Sequence, residues 1–107
     1  MKSFTDRQKG FEAEFKHKQE QSFRVTARRN RLFGLWAAER LGLPAGEAAD
    51  AYAKEVVAAD FQAPGDDDVI DKVRVDLEEK GVAVPEAELR SELERAAVEA
   101  RRQIAQS

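Results

Sequence analysis

The chain has 107 residues, 42% of them hydrophobic and 36% charged, which is enough for one domain with a single small core. It contains no Cys, and this excludes disulfides, thiolate zinc sites, iron–sulfur clusters and a cysteine nucleophile. The net charge of −3 hides an asymmetry, because residues 1–31 carry nine Lys/Arg against four Asp/Glu and the remainder carries nine against seventeen. A basic leading segment joined to an acidic body can contact nucleic acid, an acidic protein partner or the protein's own acidic part.

Strong turn signals occur at only four places: residues 42–44, residues 63–65, Gly81 and Pro85. The pieces between them are rich in good helix formers, and apolar residues nowhere alternate with polar ones over the length of a strand. The sequence therefore predicts an all-α protein, a four-helix bundle with a mobile, partly helical N-terminal arm. The first residues form no apolar signal core, and no apolar run is long enough to cross a bilayer. We expect a cytoplasmic protein with no direct membrane insertion.

The predicted arm covers residues 1–19, and the predicted bundle domain covers residues 20–107. Residues 16–22 contain no apolar side chain, so a core-facing stripe cannot pass through them unbroken. In a helix, Phe4, Phe11 and Phe15 would share one face. Because the arm is short and has Gly10 in its middle, it is expected to fray alone. It can become helical on a partner surface, or it can dock on its own bundle and lengthen the first helix.

The first bundle helix is predicted from Phe23 to Leu41, with Trp36 as a core anchor. Its apolar wall is predicted to consist of Val25, Leu32, Leu35 and Trp36, together with Ala27, Ala37 and Ala38. Arg24, Arg28 and Arg31 fall at helical steps on one side, next to Arg29. Such a face could meet the phosphates of a nucleotide or a nucleic acid, be solvated, or pair with the acidic helices. The acidic overall balance argues against nucleic acid as a partner.

Three further helices are predicted by apolar periodicity and by end signals. The second begins near Gly46 and ends before Pro64, the third covers residues 67–80 and stops at Gly81, and the fourth covers residues 85–105. Their predicted apolar stripes are Ala48, Tyr52, Val56 and Ala59 in the second helix, Val69, Ile70, Val73 and Leu77 in the third, and Leu89, Leu93, Ala96 or Ala97, Ala100 and Ile104 in the fourth.

Few residues are candidates for a catalytic or metal-binding site. His17 is the only histidine, which excludes two-His metal motifs and favours an exposed residue over a pH sensor. Residues 66–68 are three aspartates that cap a helix better than they match a calcium loop. Tyr52 is predicted to be partly buried with its hydroxyl in water. We expect no catalysis, no metal and no cofactor.

Several short stretches spread over nearly the whole chain are specific in combination. They are residues 4–7, 11–15, 27–32, 34–38, 51–53, 56–57, 59–61, 64–65, and 68–70 followed by Lys72. Together these stretches resemble the zeta subunit, an ATPase inhibitor subunit, of alphaproteobacterial F-type ATP synthases.

This resemblance implies a four-helix protein whose N-terminal segment enters a catalytic interface between the alpha and beta subunits, near the gamma stalk. There it would block rotation in the hydrolytic direction. The implied partners are the alpha, beta and gamma subunits of the catalytic head, reached by a protein that is monomeric when free and peripheral to the inner membrane. The matching positions that would form the inhibitory face are Phe4, Asp6, Arg7, Phe11, Glu12 and Phe15.

Two positions depart from the pattern of this family. Gly10 stands where a better helix former is expected, which would weaken the bound helix, and Lys18 makes the arm more basic. The alternative function is a helical regulatory module that binds a nucleotide or nucleic acid through its basic face. That face would consist of Arg24, Arg28, Arg29 and Arg31.

Overall fold

Four α-helices make up the computed structural model of this chain, which describes the backbone of residues 2–60 and 65–106 and the side chains of residues 18–60 and 65–106. The helices are α1 (Lys2–Arg40), α2 (Glu47–Ala59), α3 (Asp67–Glu79) and α4 (Glu86–Gln106). The described residues contain no β-strand. The predicted all-α, four-helix fold is therefore confirmed.

Glycines in the left-handed conformation follow the ends of α1 and α3. Gly42 has a φ of +78° and Gly81 a φ of +74°. Beyond Gly81 the chain turns back, so that the amide of Val82 donates a hydrogen bond to the carbonyl of Leu77 at 2.9 Å. A residue with a Cβ atom rarely adopts this backbone conformation, which explains why glycine ends both helices. The predicted stops at these two positions are confirmed.

The core face of α1 differs from the predicted one. Ala37 and Ala38 are fully buried as predicted, but so is Phe33, which was not predicted, whereas Trp36 is only partly buried against the core. The Trp36 ring stacks on Phe33 with 5.7 Å between ring centroids, and the guanidinium of Arg40 covers it at 5.2 Å. Because Phe33 and Ala37 lie one helical turn apart, they face the other helices directly, and Trp36 covers the edge of that face. Phe33, not Trp36, is therefore the aromatic core anchor.

The other three helices bury the predicted stripes with one shift in α2. There Ala49 and Ala53 are buried, and the predicted Ala48 is only partly buried. Ile104 at the end of α4 is also only partly buried. The remaining predicted positions are all buried: Tyr52, Val56, Ala59, Val69, Ile70, Val73, Leu77, Leu89, Leu93, Ala96, Ala97 and Ala100.

Helices α1 and α2 approach each other closely at Gly34. A Cβ atom placed on Gly34 would lie 2.8 Å from the Cα atom of Ala53 and 3.2 Å from Val56. The two backbones can come this near only because position 34 has no side chain. Ala53, and not the predicted Ala48, is the alanine of α2 that lies against Gly34.

Helix α1 begins far ahead of the expected Phe23. Its described side chains from Lys18 to Arg24 are exposed, and the first partly buried one is Val25. Residues 16–22 lack apolar side chains but consist mainly of Lys, Gln and Glu, which favour helix without needing a core. The backbone therefore stays helical where the core-facing stripe is absent. The boundary between an arm and a bundle domain at residue 19 stays a prediction.

Candidate functional site

The six residues of the expected inhibitory face lie outside the described side chains. The structure gives a helical backbone for this part of α1 and nothing about how the side chains are arranged. His17 is also outside the described side chains, and Phe61 and Pro64 lie outside the described residues altogether. The inhibitory role therefore stays a prediction for Phe4, Asp6, Arg7, Phe11, Glu12 and Phe15.

An open groove lies close to the expected arm, at the place where α1 leaves the bundle. The groove lies between α1, α2 and the end of α4 and has a volume of about 340 Å³. Phe23 stands at its edge with 57% of its surface exposed. We call this feature the α1 groove; its lining residues are Phe23, Arg24, Ala27, Arg28, Arg31, Val57 and Ile104.

Three of the arginines that the sequence singled out line this groove together. Arg28 donates a hydrogen bond from Nη1 to Oε1 of Gln103 at 3.1 Å. Arg31 pairs with Asp50 over 3.4 Å, and both side chains are about half exposed. Arg24 makes no ion pair with any described residue and also lines the open surface beside Gln19, Glu20 and Phe23. The groove therefore carries an excess of positive charge, because only one of its three arginines pairs with a described carboxylate.

Arg29 does not belong to that exposed face, although the sequence placed it there. Its side chain is only 13% exposed and its Nη1 lies 3.0 Å from Oδ1 of Asp66. Its Nε donates a hydrogen bond to Oδ1 of Asn30, which is itself 1% exposed, and its buried Nη2 has no hydrogen-bond partner. One helical residue, about 100°, separates Arg29 from Arg28, so the two point to different sides of α1. Arg29 holds the start of α3 against α1.

A second polar cluster joins α2 to α3. The hydroxyl of Tyr52 donates a hydrogen bond to Oδ2 of Asp76 at 2.8 Å, and Nζ of Lys72 lies 2.9 Å from the same oxygen. Lys72 also pairs with Glu55 at 3.5 Å and lies 5.4 Å from the centre of the Tyr52 ring. The expectation that the Tyr52 hydroxyl points into water is therefore wrong, because Asp76 accepts its hydrogen bond.

The surroundings of this cluster shift two pKa values. Burial, the hydrogen bond to Asp76 and the negative charges of Asp76 and Glu55 all raise the pKa of the Tyr52 phenol well above its usual range. Burial by itself lowers the pKa of Lys72, but the hydrogen bond to Asp76 and the two carboxylate charges outweigh it and raise that pKa. Tyr52 stays neutral and Lys72 stays charged over the physiological range, so the cluster stabilises the fold and offers no proton at neutral pH.

The three aspartates at the start of α3 are its N-cap residue Asp66 and its first two helical residues, Asp67 and Asp68. Asp66 is the N-cap residue of α3, but its side chain makes no capping bond and pairs with Arg29 instead. Asp67 pairs with Arg90 of α4 at 2.9 Å. Within residues 18–60 and 65–106, no cluster of acidic or histidine side chains could hold a metal ion. Over the described part of the chain, no helix has the length and apolar character that crossing a membrane requires.

Comparison with known protein families gives one match that covers most of the chain. The family described as ATPase inhibitor subunit zeta matches residues 1–103, which include the whole of α1, α2 and α3 and most of α4. No curated protein matches the chain. The matched range includes the expected arm and every lining residue of the α1 groove except Ile104.

Proposed function

The chain belongs to the ATPase inhibitor subunit zeta family, and we propose that it inhibits ATP hydrolysis by an F-type ATP synthase through the N-terminal part of α1. The family is one of inhibitor subunits, which are regulatory rather than catalytic proteins. The resemblance of residues 4–7 and 11–15 to this family supports a blocking role for the arm. The partners in this proposal are the alpha, beta and gamma subunits of the catalytic head, at the cytoplasmic side of the inner membrane.

The observation that carries the proposal is the way α1 leaves the bundle. One helix extends from Lys2 to Arg40, yet its described side chains before Val25 are exposed, and the longest dimension of the molecule is 66 Å. At 1.5 Å per residue, residues 2–24 correspond to about 35 Å of helix. A helix of that length and about 10 Å diameter fits the shape of a rod that enters a cleft between two subunits.

The energetics of insertion depend on the apolar side chains of the arm. Burying Phe4, Phe11 and Phe15 against a partner would contribute about 1.5 to 3 kcal/mol for each ring. This gain can offset the entropy cost of ordering one short helix. Charge pairs from Asp6, Arg7 and Glu12 would then fix its position. A wedge held in this way raises the barrier to opening the interface, so rotation that requires the opening stops.

The test is a titration of ATP hydrolysis with variants of the full chain. We expect Phe11→Ala to relieve inhibition, because it removes one of the three rings that the partner would bury. Its bundle stability should change by no more than about 1 kcal/mol, since the ring should not belong to the core. The matched control is Val98→Ala on α4, which trims an apolar side chain that is 56% exposed on the bundle.

Inhibition by Phe11→Ala at the wild-type level would contradict the proposed role of this ring. A large drop in its melting temperature would show instead that Phe11 packs against its own bundle. Val98→Ala should inhibit as the wild type does.

A further inference from the structure

The α1 groove combines an exposed aromatic ring, an apolar floor and an excess of positive charge. Phe23 stands at its edge, and Ala27, Val57 and Ile104 line its interior. None of its lining residues is acidic. Exposed apolar area with polar side chains around it is typical of a surface that binds another protein.

The charges of the groove indicate the chemistry of such a partner. Arg24, Arg28 and Arg31 follow each other at steps of four and three residues, so they form one row along α1. Among the residues whose side chains are described, the carboxylates near this row are Glu20 on the adjoining surface, Asp50 opposite Arg31, and Glu99, which accepts a hydrogen bond from Gln103. Of these only Asp50 pairs with an arginine of the row, and it does so at 3.4 Å with both side chains half exposed. The row therefore favours a partner that supplies carboxylates.

The position of the groove indicates where that partner lies. The groove begins one residue after the polar stretch 16–22, on the same continuous helix as the arm. A surface that holds the arm must therefore have a neighbouring part that passes beside Phe23 and Arg24. Since the floor of the groove is apolar and the chain as a whole is acidic, a protein surface suits it better than a nucleic acid.

We propose that the α1 groove is a second contact with the ATP synthase, and that it binds an acidic segment with an exposed apolar side chain on the catalytic head, next to the place where the arm enters. This inference rests on the proposed function and deepens it. The arm blocks the interface, and the groove holds the bundle beside it. Long-range attraction by the arginine row speeds association, and this effect weakens as salt is added.

The experiment uses the full chain and the intact catalytic head of the same synthase. Arg24→Glu and Phe23→Ala alter the groove. Arg95→Glu and Val98→Ala are the matched controls on α4, because their side chains are 79% and 56% exposed on the bundle surface. For each variant, ATP hydrolysis is titrated at low and at physiological ionic strength. The titration gives the concentration for half-maximal inhibition and, separately, the maximal inhibition.

We expect Arg24→Glu to raise the half-inhibitory concentration about tenfold, and more at low than at physiological ionic strength. Phe23→Ala should raise it at both ionic strengths by a similar factor, because burial of a ring is not screened by salt. Maximal inhibition should stay at the wild-type level in both variants, since the arm is intact. Arg95→Glu and Val98→Ala should titrate as the wild type does.

Three results would overturn this inference. One is that Arg24→Glu and Phe23→Ala titrate like their controls; if Phe11→Ala still relieves inhibition, the proposed function stands and only the groove contact is wrong. Another is a wild-type dimer in sedimentation that Arg24→Glu abolishes, which would assign the groove to a second copy of this chain. The last is binding of ADP alone that Arg24→Glu abolishes, which would assign the groove to phosphate. If the wild type does not inhibit at all, the proposed function itself fails.

Discussion

At the scale of single residues, Gly34 sets the distance between α1 and α2. The position is buried inside α1, where glycine is about 1 kcal/mol less favourable than alanine on helix propensity alone. A Cβ atom there would meet the backbone of Ala53 at 2.8 Å, which is closer than real Cβ atoms approach. Backbone cannot move aside as the end of a flexible side chain can. Close packing of the two helices therefore outweighs helix propensity at this position.

Gly34→Ala is accordingly expected to lower the free energy of unfolding by about 1 to 3 kcal/mol, because the helices must separate to admit a methyl group. Urea denaturation followed by Trp36 fluorescence measures the change. Ala51→Gly, at an exposed position of α2, serves as the control for propensity alone and should cost about 1 kcal/mol. A Gly34→Ala protein that is more stable than the wild type would show that the two helices do not meet there.

Tyr52 shows how a buried hydroxyl can be paired across two helices. Its ring is 8% exposed, and its hydrogen bond to Asp76 joins α2 to α3. The pKa of this phenol is raised above its usual value near 10. The folded protein therefore keeps the phenol proton at pH values where the unfolded chain loses it, and the unfolded state is favoured as the pH rises further.

Tyr52→Phe should lose about 1 kcal/mol of stability at neutral pH, because Asp76 loses one of its two partners. Above about pH 10 the wild type should lose stability more steeply than Tyr52→Phe, since phenylalanine has no proton to release. Denaturation curves collected from pH 7 upward compare the two slopes. The chain has only one tyrosine, so no other phenol contributes to the difference. Parallel curves would contradict the raised pKa.

At the scale of helices, α1 has two different environments along its length. From Val25 onward its side chains are buried or partly buried at intervals that match the bundle, whereas the described residues before Val25 are exposed. Residues 18–24 must therefore derive helical stability from propensity or from a partner, because packing on the bundle does not supply it. Nearer the start of α1, Gly10 lowers the helix propensity of the expected arm.

Gly10→Ala should therefore strengthen inhibition. A gain of about 1 kcal/mol in helix propensity corresponds to a half-inhibitory concentration about fivefold lower, provided that the bound arm is helical. The melting temperature of the bundle should stay the same, since position 10 precedes the exposed segment. Weaker inhibition by Gly10→Ala would indicate that a partner backbone approaches Gly10 closely. Unchanged inhibition would indicate that the bound arm is not helical at this point.

The sequence predicts the later helices better than the first one. For α3 and α4 the apolar period and the end signals agree, and the observed bounds lie within one residue of the expected 67–80 and 85–105. For α1 the helical spacing of Phe4, Phe11 and Phe15 indicates a partly helical arm, but the apolar period is interrupted over residues 16–22, so it does not show that one helix continues from Lys2 to Arg40. The apolar period also does not show that Phe33 rather than Trp36 enters the core. The two residues lie close together on α1, and which of them is buried depends on where the other helices pack against it.

At the scale of the whole molecule, the asymmetry of charge has a structural counterpart. The arginine row lies on α1 where it leaves the bundle, while α3 and α4 carry carboxylates that pair mostly with arginines of the same two helices, such as Asp67 with Arg90. The excess of positive charge was visible in the sequence of residues 1–31. The sequence did not show which of these arginines are exposed. Only the fold shows that Arg29 turns inward to Asp66 while Arg24 stays exposed. The basic arginine row is thus on the part of the molecule that we propose contacts the catalytic head.

The most direct test of the account compares the full chain with a version that lacks residues 1–19 in an assay of ATP hydrolysis by the catalytic head of the same synthase. We predict that the full chain inhibits and that the shortened one does not, although circular dichroism should show its bundle helical and melting within a few degrees of the full chain. Equal inhibition by the two proteins would contradict the account, because the bundle and not the arm would then be the inhibitory element.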